Sequence, residues 1–109
     1  MTKEKRLAVY NKYGGRCAYC GQPITYKDMQ VDHIRPQRQG GTDEEKNLNP
    51  SCRRCNHYKR ASSIETYRGL ILKLHTKIRE QYLDKVAEDY GVIEVRPWDG
   101  KFYFELAEV

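Results

Sequence analysis

The four cysteines of this chain stand in two close pairs whose spacing suits metal binding. Cys17 and Cys20 form one Cys-x-x-Cys unit, and Cys52 and Cys55 form a second unit separated from it by 31 residues. Two thiolates with two residues between them can grip one ion, and Gly21 lets the chain fold back. Two such units predict a closed four-thiolate zinc site, which is structural because no position stays open for substrate. Two disulfides or unpaired buried thiols are the alternatives.

The compartment expected for this chain favours metal binding by the cysteines over disulfide formation. The N-terminus carries no apolar core of the kind that a signal peptide has, and no apolar run is long enough to span a membrane. We therefore expect a cytoplasmic protein without a membrane partner. In a reducing compartment, paired Cys-x-x-Cys units indicate metal sites before they indicate disulfides.

The polar residues between and beside the cysteine pairs could hydrolyse a phosphodiester. An imidazole such as His33 can act as general base and take a proton from water. A hard divalent cation would stabilise charge on the phosphate, and Asp32 and Asn56 could supply its carboxylate and amide oxygens. Such ligands suit Mg²⁺ better than zinc. By itself an Asp-His pair is more often a surface hydrogen bond, and its place between the cysteine pairs is what favours a site.

The charge is uneven along the chain. The net charge is +5. Residues 1–63 carry 13 Lys and Arg against 6 Asp and Glu, whereas residues 64–109 carry 7 against 9. The positive charge thus lies with the cysteines and histidines, which indicates a polyanionic partner, nucleic acid first. A solvated basic surface with no partner is the alternative.

Helices and strands alternate in the half that carries the cysteines. Leu7, Tyr10 and Tyr13 recur at helical spacing after a Thr2 cap. Pro36 to Gly41 reads as a loop that joins two antiparallel strands. The predicted elements are a helix over 3–13, a strand over 24–32, a turn over 47–50 and a helix over 53–60.

The second half has no chemical motif. From Ile64 to Tyr90 an apolar residue recurs every three or four residues. This spacing predicts one helix with a break near residue 80, or two helices. Residues 92–95 and 102–106 read as strands of a C-terminal β-hairpin. We predict a core with its N-terminal helix at 1–63, and a helical extension and hairpin packed on it at 64–109.

Residues 17–59 resemble an HNH endonuclease of the ββα-metal type with a zinc-stabilised core. The order and spacing fit throughout, and the combination is far more specific than any one piece. With the flanking helices and hairpin, the implied fold class is α+β. The matching pieces are Cys17-x-x-Cys20-Gly21, Val31-Asp32-His33-Ile34-x-Pro36, Gly40-Gly41, Asn47-Leu48 and Cys52-x-x-Cys55-Asn56-x-x-Lys59.

The resemblance implies a role for each polar residue. His33 matches the general base that activates water, and Asp32 matches the carboxylate that binds the catalytic ion, Mg²⁺ or Mn²⁺ or a similar one. Asn47 matches the asparagine that holds the loop of the base histidine by hydrogen bonding. Asn56 stands where many members carry a final histidine as metal ligand. His57 would point about 100° away on a helix and is the second choice.

Six basic residues lie around the motif, namely Arg35, Arg38, Arg53, Arg54, Lys59 and Arg60. In such a nuclease they would contact the DNA backbone, with the helix of the ββα unit toward the minor groove. Phosphate contacts position the enzyme without reading sequence. We favour DNA contact for Arg35 and Arg38. Arg53 and Arg54 could equally cover the thiolates with positive charge, and Lys59 could do no more than face solvent.

The sequence thus predicts a metal-dependent HNH endonuclease that hydrolyses DNA, acting as a monomer or weak dimer. A non-catalytic zinc module that binds nucleic acid would explain the charge and cysteines, but not the polar residues at family spacing. An adaptor in a larger DNA-processing assembly, with 64–109 as docking surface, is a third hypothesis. Metal-dependent turnover discriminates between the first two. Compact proteins of this family are frequent in phages and bacteria.

Overall fold

A two-stranded antiparallel sheet followed by a helix forms the centre of the computed structural model, which describes residues 1–107. The strands pair from Gln30 opposite Ser51 to His33 opposite Leu48. This order of two strands and a helix confirms the predicted ββα unit and the α+β class. In chain order the elements are α1 (Lys3–Asn11), β1 (Gln30–His33), β2 (Leu48–Ser51), α2 (Arg53–Lys59), α3 (Ile64–Arg79), α4 (Tyr82–Asp89) and α5 (Tyr103–Ala107).

Helix α1 covers one side of the sheet. The Thr2 hydroxyl accepts a hydrogen bond from the Lys5 backbone N–H at 3.1 Å, so the predicted cap is confirmed. Val9 of α1 is fully buried with Met29 and Leu48. Burial of these apolar side chains fixes the helix against the two strands, because it removes their surface from water.

The strands differ from the predicted ones at both ends. The predicted strand over 24–32 is shortened because the backbone N–H groups of Asp28 and Met29 both donate to the Thr25 carbonyl and close a turn. The turn predicted over 47–50 is wrong for its last three residues, since Leu48, Asn49 and Pro50 lie in β2, whereas Asn47 ends a 3-10 turn. Pro50 lacks an N–H donor but is tolerated in a two-stranded sheet, where each strand has a free edge.

The helices after the sheet lie close to where the sequence predicts them. The helix predicted over 53–60 is α2, and the long apolar pattern is interrupted near residue 80, where α3 ends and α4 begins. Gly91 has a φ of 71° and follows Tyr90, the C-cap residue of α4. Glycine enters this left-handed region without the steric penalty that other residues meet, so the predicted helix stop is confirmed.

The predicted C-terminal β-hairpin is wrong. Residues 93–99 have no regular structure, and Tyr103–Ala107 form helix α5. The backbone N–H groups of Tyr103 and Phe104 donate to the carbonyls of Tyr19 and Ala18. Phe102 and Phe104 pack edge-to-face on the Tyr19 ring, with centroids 5.4 and 5.9 Å away. Their alternation therefore reflects packing on the first cysteine pair and not a strand face.

Contacts divide the chain into two compact units. The first contains Met1–Ile64 and the segment that begins at Phe102, and the second contains Glu65–Lys101. Everything described below as a site lies in the first unit. The boundary near residue 63, with 64–109 packed on the core, stays a prediction. None of the helices within residues 1–107 has the length and apolar character needed to cross a membrane.

Candidate active site

The four cysteine sulfurs, here called the cysteine cluster, converge on one point. The Sγ atoms of Cys17, Cys20, Cys52 and Cys55 all lie within 4.8 Å of one another, and none is in a disulfide. A tetrahedral zinc ion with Zn–S bonds of about 2.3 Å would hold its sulfurs about 3.8 Å apart. The Cys20–Cys52 Sγ distance is 3.9 Å. The cluster therefore has the dimensions of a four-thiolate metal site.

Local backbone structure builds each half of the cluster. In the first pair, the Gly21 N–H donates to the Cys17 carbonyl at 3.0 Å, and Gly21 has a φ of 78°. In the second pair, Cys52 caps α2 and its Sγ accepts from the Cys55 N–H at 3.3 Å. Hydrogen bonds from the neighbouring thiols of Cys20 and Cys55 hold the pKa of Cys17 well below its usual range. Thiolate is the form that binds metal.

An open cavity of about 380 Å³ lies beside the end of β1. It is called the His33 cavity here. Asp32 and His33 are neighbours in the strand and would face opposite sides of a regular one. Both nevertheless line this cavity, because β1 ends at His33. Other polar residues that line it are Gln37, Arg38, Asn56 and Arg60.

Asp43 orients the His33 imidazole. His33 Nε2 lies 2.7 Å from Asp43 Oδ1, which also accepts a hydrogen bond from Gln37 at 3.0 Å. The hydrogen bond from His33 holds the pKa of Asp43 below its usual value. An ionised carboxylate can only accept, so the proton of the neutral ring sits on Nε2. Nδ1 then keeps its lone pair and can accept a proton.

The loop after His33 is held by Asn47. Its Oδ1 accepts from the Arg35 N–H at 2.9 Å, and its Nδ2 donates to the carbonyls of Arg35 and Thr42 at 3.1 and 2.7 Å. The loop is tight at Gly41, where a Cβ would lie 1.7 Å from the Arg35 carbonyl oxygen. Only glycine fits there. These contacts fold the loop so that Asp43 lies beside His33.

Asp32 lies at the inner edge of the cavity and is only 6% exposed. The Tyr19 hydroxyl donates to its Oδ2, and the Lys59 ammonium lies 3.0 Å from the same oxygen. Burial raises the pKa of Asp32, while the contacts with Tyr19 and Lys59 oppose that shift. Burial and the neighbouring carboxylate raise the pKa of Tyr19, so the phenol keeps its proton and donates.

Lys59 does not face solvent as the sequence allowed, since its side chain is 0% exposed. Its ammonium contacts Asp32 and donates to the carbonyls of His33 and Ser62 at 3.1 and 2.8 Å. A buried ammonium is stable only when its N–H groups are hydrogen-bonded and its charge is paired with an anion. The Asp32 carboxylate and the two carbonyls meet both conditions for Lys59. Lys59 therefore joins the end of α2 to the end of β1, and it is not placed to contact DNA.

The remaining predicted residues do not all lie at the His33 cavity. Arg35 donates to the Gln39 carbonyl at 2.6 Å, and Arg38 donates to the Ala61 carbonyl at 2.8 Å. Helix α2 directs Asn56 to the His33 cavity. A second cavity, of about 800 Å³ beside the cysteine cluster, is lined by Arg53, Arg54 and His57. His57 is thus separated from Asp32 and Asn56.

Sequence reasoning gave no role in the site to Tyr19 or Asp43. The position of Tyr19 inside the first Cys-x-x-Cys unit is the one signal that could have pointed to it. Asp43 lies beyond the two glycines of the loop, and no local pattern marked it. Arg60 was predicted only as one of several basic residues near the motif.

Comparisons with known proteins agree with this geometry. Residues 17–62 match the family model described as HNH endonuclease. The chain is 49% identical over 45 residues to the CRISPR-associated endonuclease Cas9 of Corynebacterium diphtheriae, a match that covers 40% of this chain and 4% of that protein. It is 42% identical over 55 residues to the Cas9 of Actinomyces naeslundii, covering 50% of this chain and 5% of that protein.

The fold agrees with a solved structure as well. The crystal structure of the Type II-C Cas9 enzyme from Actinomyces naeslundii superposes with a TM-score of 0.56 at 28% identity, over 70% of this chain and 10% of that one. The chain therefore spans a small part of the relatives that it matches. Residues 17–62, which form the ββα unit and the cysteine cluster, match the HNH endonuclease family.

Proposed function

We propose that this chain is a metal-dependent endonuclease that hydrolyses DNA phosphodiester bonds with His33 as general base. One observation carries the proposal. The imidazole of His33, the carboxylate of Asp32 and the amide of Asn56 belong to residues that line the same open cavity. These are the groups that water activation and a hard divalent ion require.

His33 would take the proton from the attacking water on Nδ1. Its Nε2–H donates to Asp43, which keeps the ring in that tautomer and stabilises the imidazolium that forms. Asn47 holds the loop that carries Asp43, so it acts on the geometry of the base and not on the substrate. A histidine positioned by a carboxylate is a common arrangement for proton transfer.

Asp32 and Asn56 fit a hard divalent ion such as Mg²⁺ or Mn²⁺, because a carboxylate and an amide oxygen line the same cavity. When bound, that ion supplies positive charge that stabilises the phosphate and the leaving oxygen. Tyr19 and Lys59 orient the Asp32 carboxylate from the protein side. Water and phosphate oxygens would complete the coordination, as is usual for Mg²⁺.

The cysteine cluster would hold zinc in a structural role. Four thiolates fill a tetrahedral shell, so no ligand position remains for substrate. Cys17 and Cys55 are buried, which favours a stabilising site over a reactive one. Zinc binding would then be coupled to folding of the first unit.

DNA is the proposed substrate, and a larger DNA-processing assembly is the proposed setting. The basic composition of residues 1–63 suits a polyanion. Both curated relatives carry the name CRISPR-associated endonuclease, and in each the matched region is a small part of a long chain. That supports a nuclease module that works together with other domains or proteins.

The test is a plasmid-nicking assay on zinc-loaded protein, with and without Mg²⁺ or Mn²⁺. We expect metal-dependent nicking by the parent and a rate about 10²–10⁴-fold lower for His33→Ala, the contribution typical of a general base. His75→Ala is the matched control, because this histidine lies in the second unit, outside the His33 cavity. It should cut at the parent rate.

Each other outcome has a definite meaning. Equal cutting by the parent and His33→Ala would exclude His33 as the base. Binding of DNA without cutting, at any divalent-ion concentration, would favour the non-catalytic zinc module. His57→Ala should retain activity, since His57 lines the second cavity, whereas Asp32 and Asn56 line the His33 cavity.

A further inference from the structure

The turn after α2 holds an arginine in a backbone conformation that arginine rarely adopts. Arg60 has a φ of 54° and a ψ of −139°, and among residues 1–107 it is the non-glycine residue with positive φ. For a side chain with a Cβ such conformations cost free energy and persist only where surrounding contacts enforce them. Such conformations cluster at functional sites.

Three hydrogen bonds enforce the turn. The Arg38 guanidinium donates to the Ala61 carbonyl at 2.8 Å. The Lys59 ammonium donates to the Ser62 carbonyl at 2.8 Å, and the Ser62 hydroxyl donates to the Lys59 carbonyl at 2.7 Å. The backbone around Arg60 is therefore fixed by its neighbours on both sides.

The fixed turn presents Arg60 to the His33 cavity. Arg60 lines this cavity together with His33 and Asn56. Within the described part of the chain, no hydrogen bond or ion pair engages its guanidinium. The carboxylate that also lines the cavity, Asp32, is already matched by Lys59. The cavity thus contains a cation that no protein anion neutralises.

We propose that Arg60 is a substrate-binding residue whose guanidinium contacts a backbone phosphate of the DNA strand in the His33 cavity. The proposal rests on the DNA-cleaving function proposed above. A guanidinium matches the non-bridging oxygens of a phosphate with paired N–H donors, and Arg is chosen where that geometry matters. Strain at Arg60 would then be retained because it aims this group at the phosphate.

Substitutions at Arg60 separate strain from contact. Arg60→Gly removes both the guanidinium and the strain, whereas Arg60→Ala removes the guanidinium and keeps a Cβ. We expect both to lower the cleavage rate at least about 10-fold, as loss of a charge-assisted contact does. The midpoint of thermal unfolding should be higher for Arg60→Gly than for Arg60→Ala. Arg60→Lys should retain part of the rate.

Binding gives a readout that does not depend on cutting. In a His33→Ala background, the further change Arg60→Ala should weaken binding of a short DNA duplex about 5-fold or more. It should also reduce the slope of log affinity against log salt by about one, the loss of one phosphate contact. Arg96→Ala is the control, since this arginine is 76% exposed in the second unit.

The outcomes distinguish this inference from the function on which it rests. If the parent cuts DNA and Arg60→Ala and Arg60→Gly cut and bind equally well, the phosphate contact is wrong and the nuclease stands. If the parent does not cut, the binding experiment still decides the role of Arg60. An unchanged salt slope and affinity there would overturn it.

Discussion

The cysteine cluster and the His33 cavity share helix α2 but are built in opposite ways. The cluster uses Cys52 and Cys55 at the start of the helix and one similar pair far away in sequence. The cavity uses Asn56 from the middle of α2 and residues from β1, the following loop and the turn after the helix. One site is closed by four identical soft ligands, and the other is open and lined by mixed groups.

This difference matches the roles proposed for the two sites. A structural ion is held best when every ligand position is filled by protein. A catalytic site needs unfilled space, a proton acceptor and charges that meet the substrate. Tyr19 connects the two, because it lies between Cys17 and Cys20 and its hydroxyl donates to Asp32. Stability of the cluster is therefore expected to affect the geometry of the cavity.

Loss of the cluster should have the largest effect. Cys17→Ser removes a fully buried ligand, and we expect it to abolish zinc binding and leave the first unit unfolded, because binding and folding are coupled. Circular dichroism and measured zinc content would test this. A folded, zinc-free Cys17→Ser protein would contradict the structural role.

Withdrawal of Mg²⁺ or Mn²⁺ from the parent should stop cutting while the circular-dichroism spectrum stays unchanged.

Breaking the buried ion pair should have the next largest effect. Lys59→Met leaves Asp32 without its buried cation, and an unpaired buried charge typically lowers the free energy of unfolding by about 3–5 kcal/mol. Urea titration would measure it. Lys46→Met is the matched control, since that side chain is 83% exposed and its pairing with Glu44 contributes little.

A double variant sharpens this prediction. Asp32→Asn combined with Lys59→Met removes both charges, and it should recover part of the free energy lost by Lys59→Met alone. If the two changes were simply additive, the ion pair would not be the source of the loss. Activity is not the readout here, because Asp32 is a proposed metal ligand.

Loss of the Tyr19 hydroxyl, which connects the two sites, should have the smallest effect. Tyr19→Phe keeps the ring that packs on Phe102 and removes one hydroxyl that donates to a carboxylate. Hydrogen bonds to charged groups contribute about 1.5–3 kcal/mol, so the free energy of unfolding should fall by about that amount. Zinc content should stay that of the parent. Loss of zinc from this variant would show that the hydroxyl supports the cluster as well.

Local patterns in the sequence were sufficient for much of this molecule. The two Cys-x-x-Cys units predicted the cluster, the helix predicted over 53–60 is α2, and the apolar repeat predicted a break between α3 and α4. Each cysteine pair, each helix and the helix break is set within a few turns of backbone, where spacing and geometry are directly related. Residue chemistry suggested His33, Asp32 and Asn56 as candidates, and the family resemblance added a role for Asn47; these roles stay predictions.

Partners distant in sequence were decided only by the tertiary structure. Lys59 pairs with Asp32 across 27 residues, Tyr19 reaches Asp32 across 13, and Asp43 reaches His33 across 10. Phe102 and Phe104, which alternate like a strand, instead pack on Tyr19. Whether a lysine is exposed or buried, or an aromatic pair lies in a sheet or a core, depends on how elements pack together. Local spacing does not contain that information.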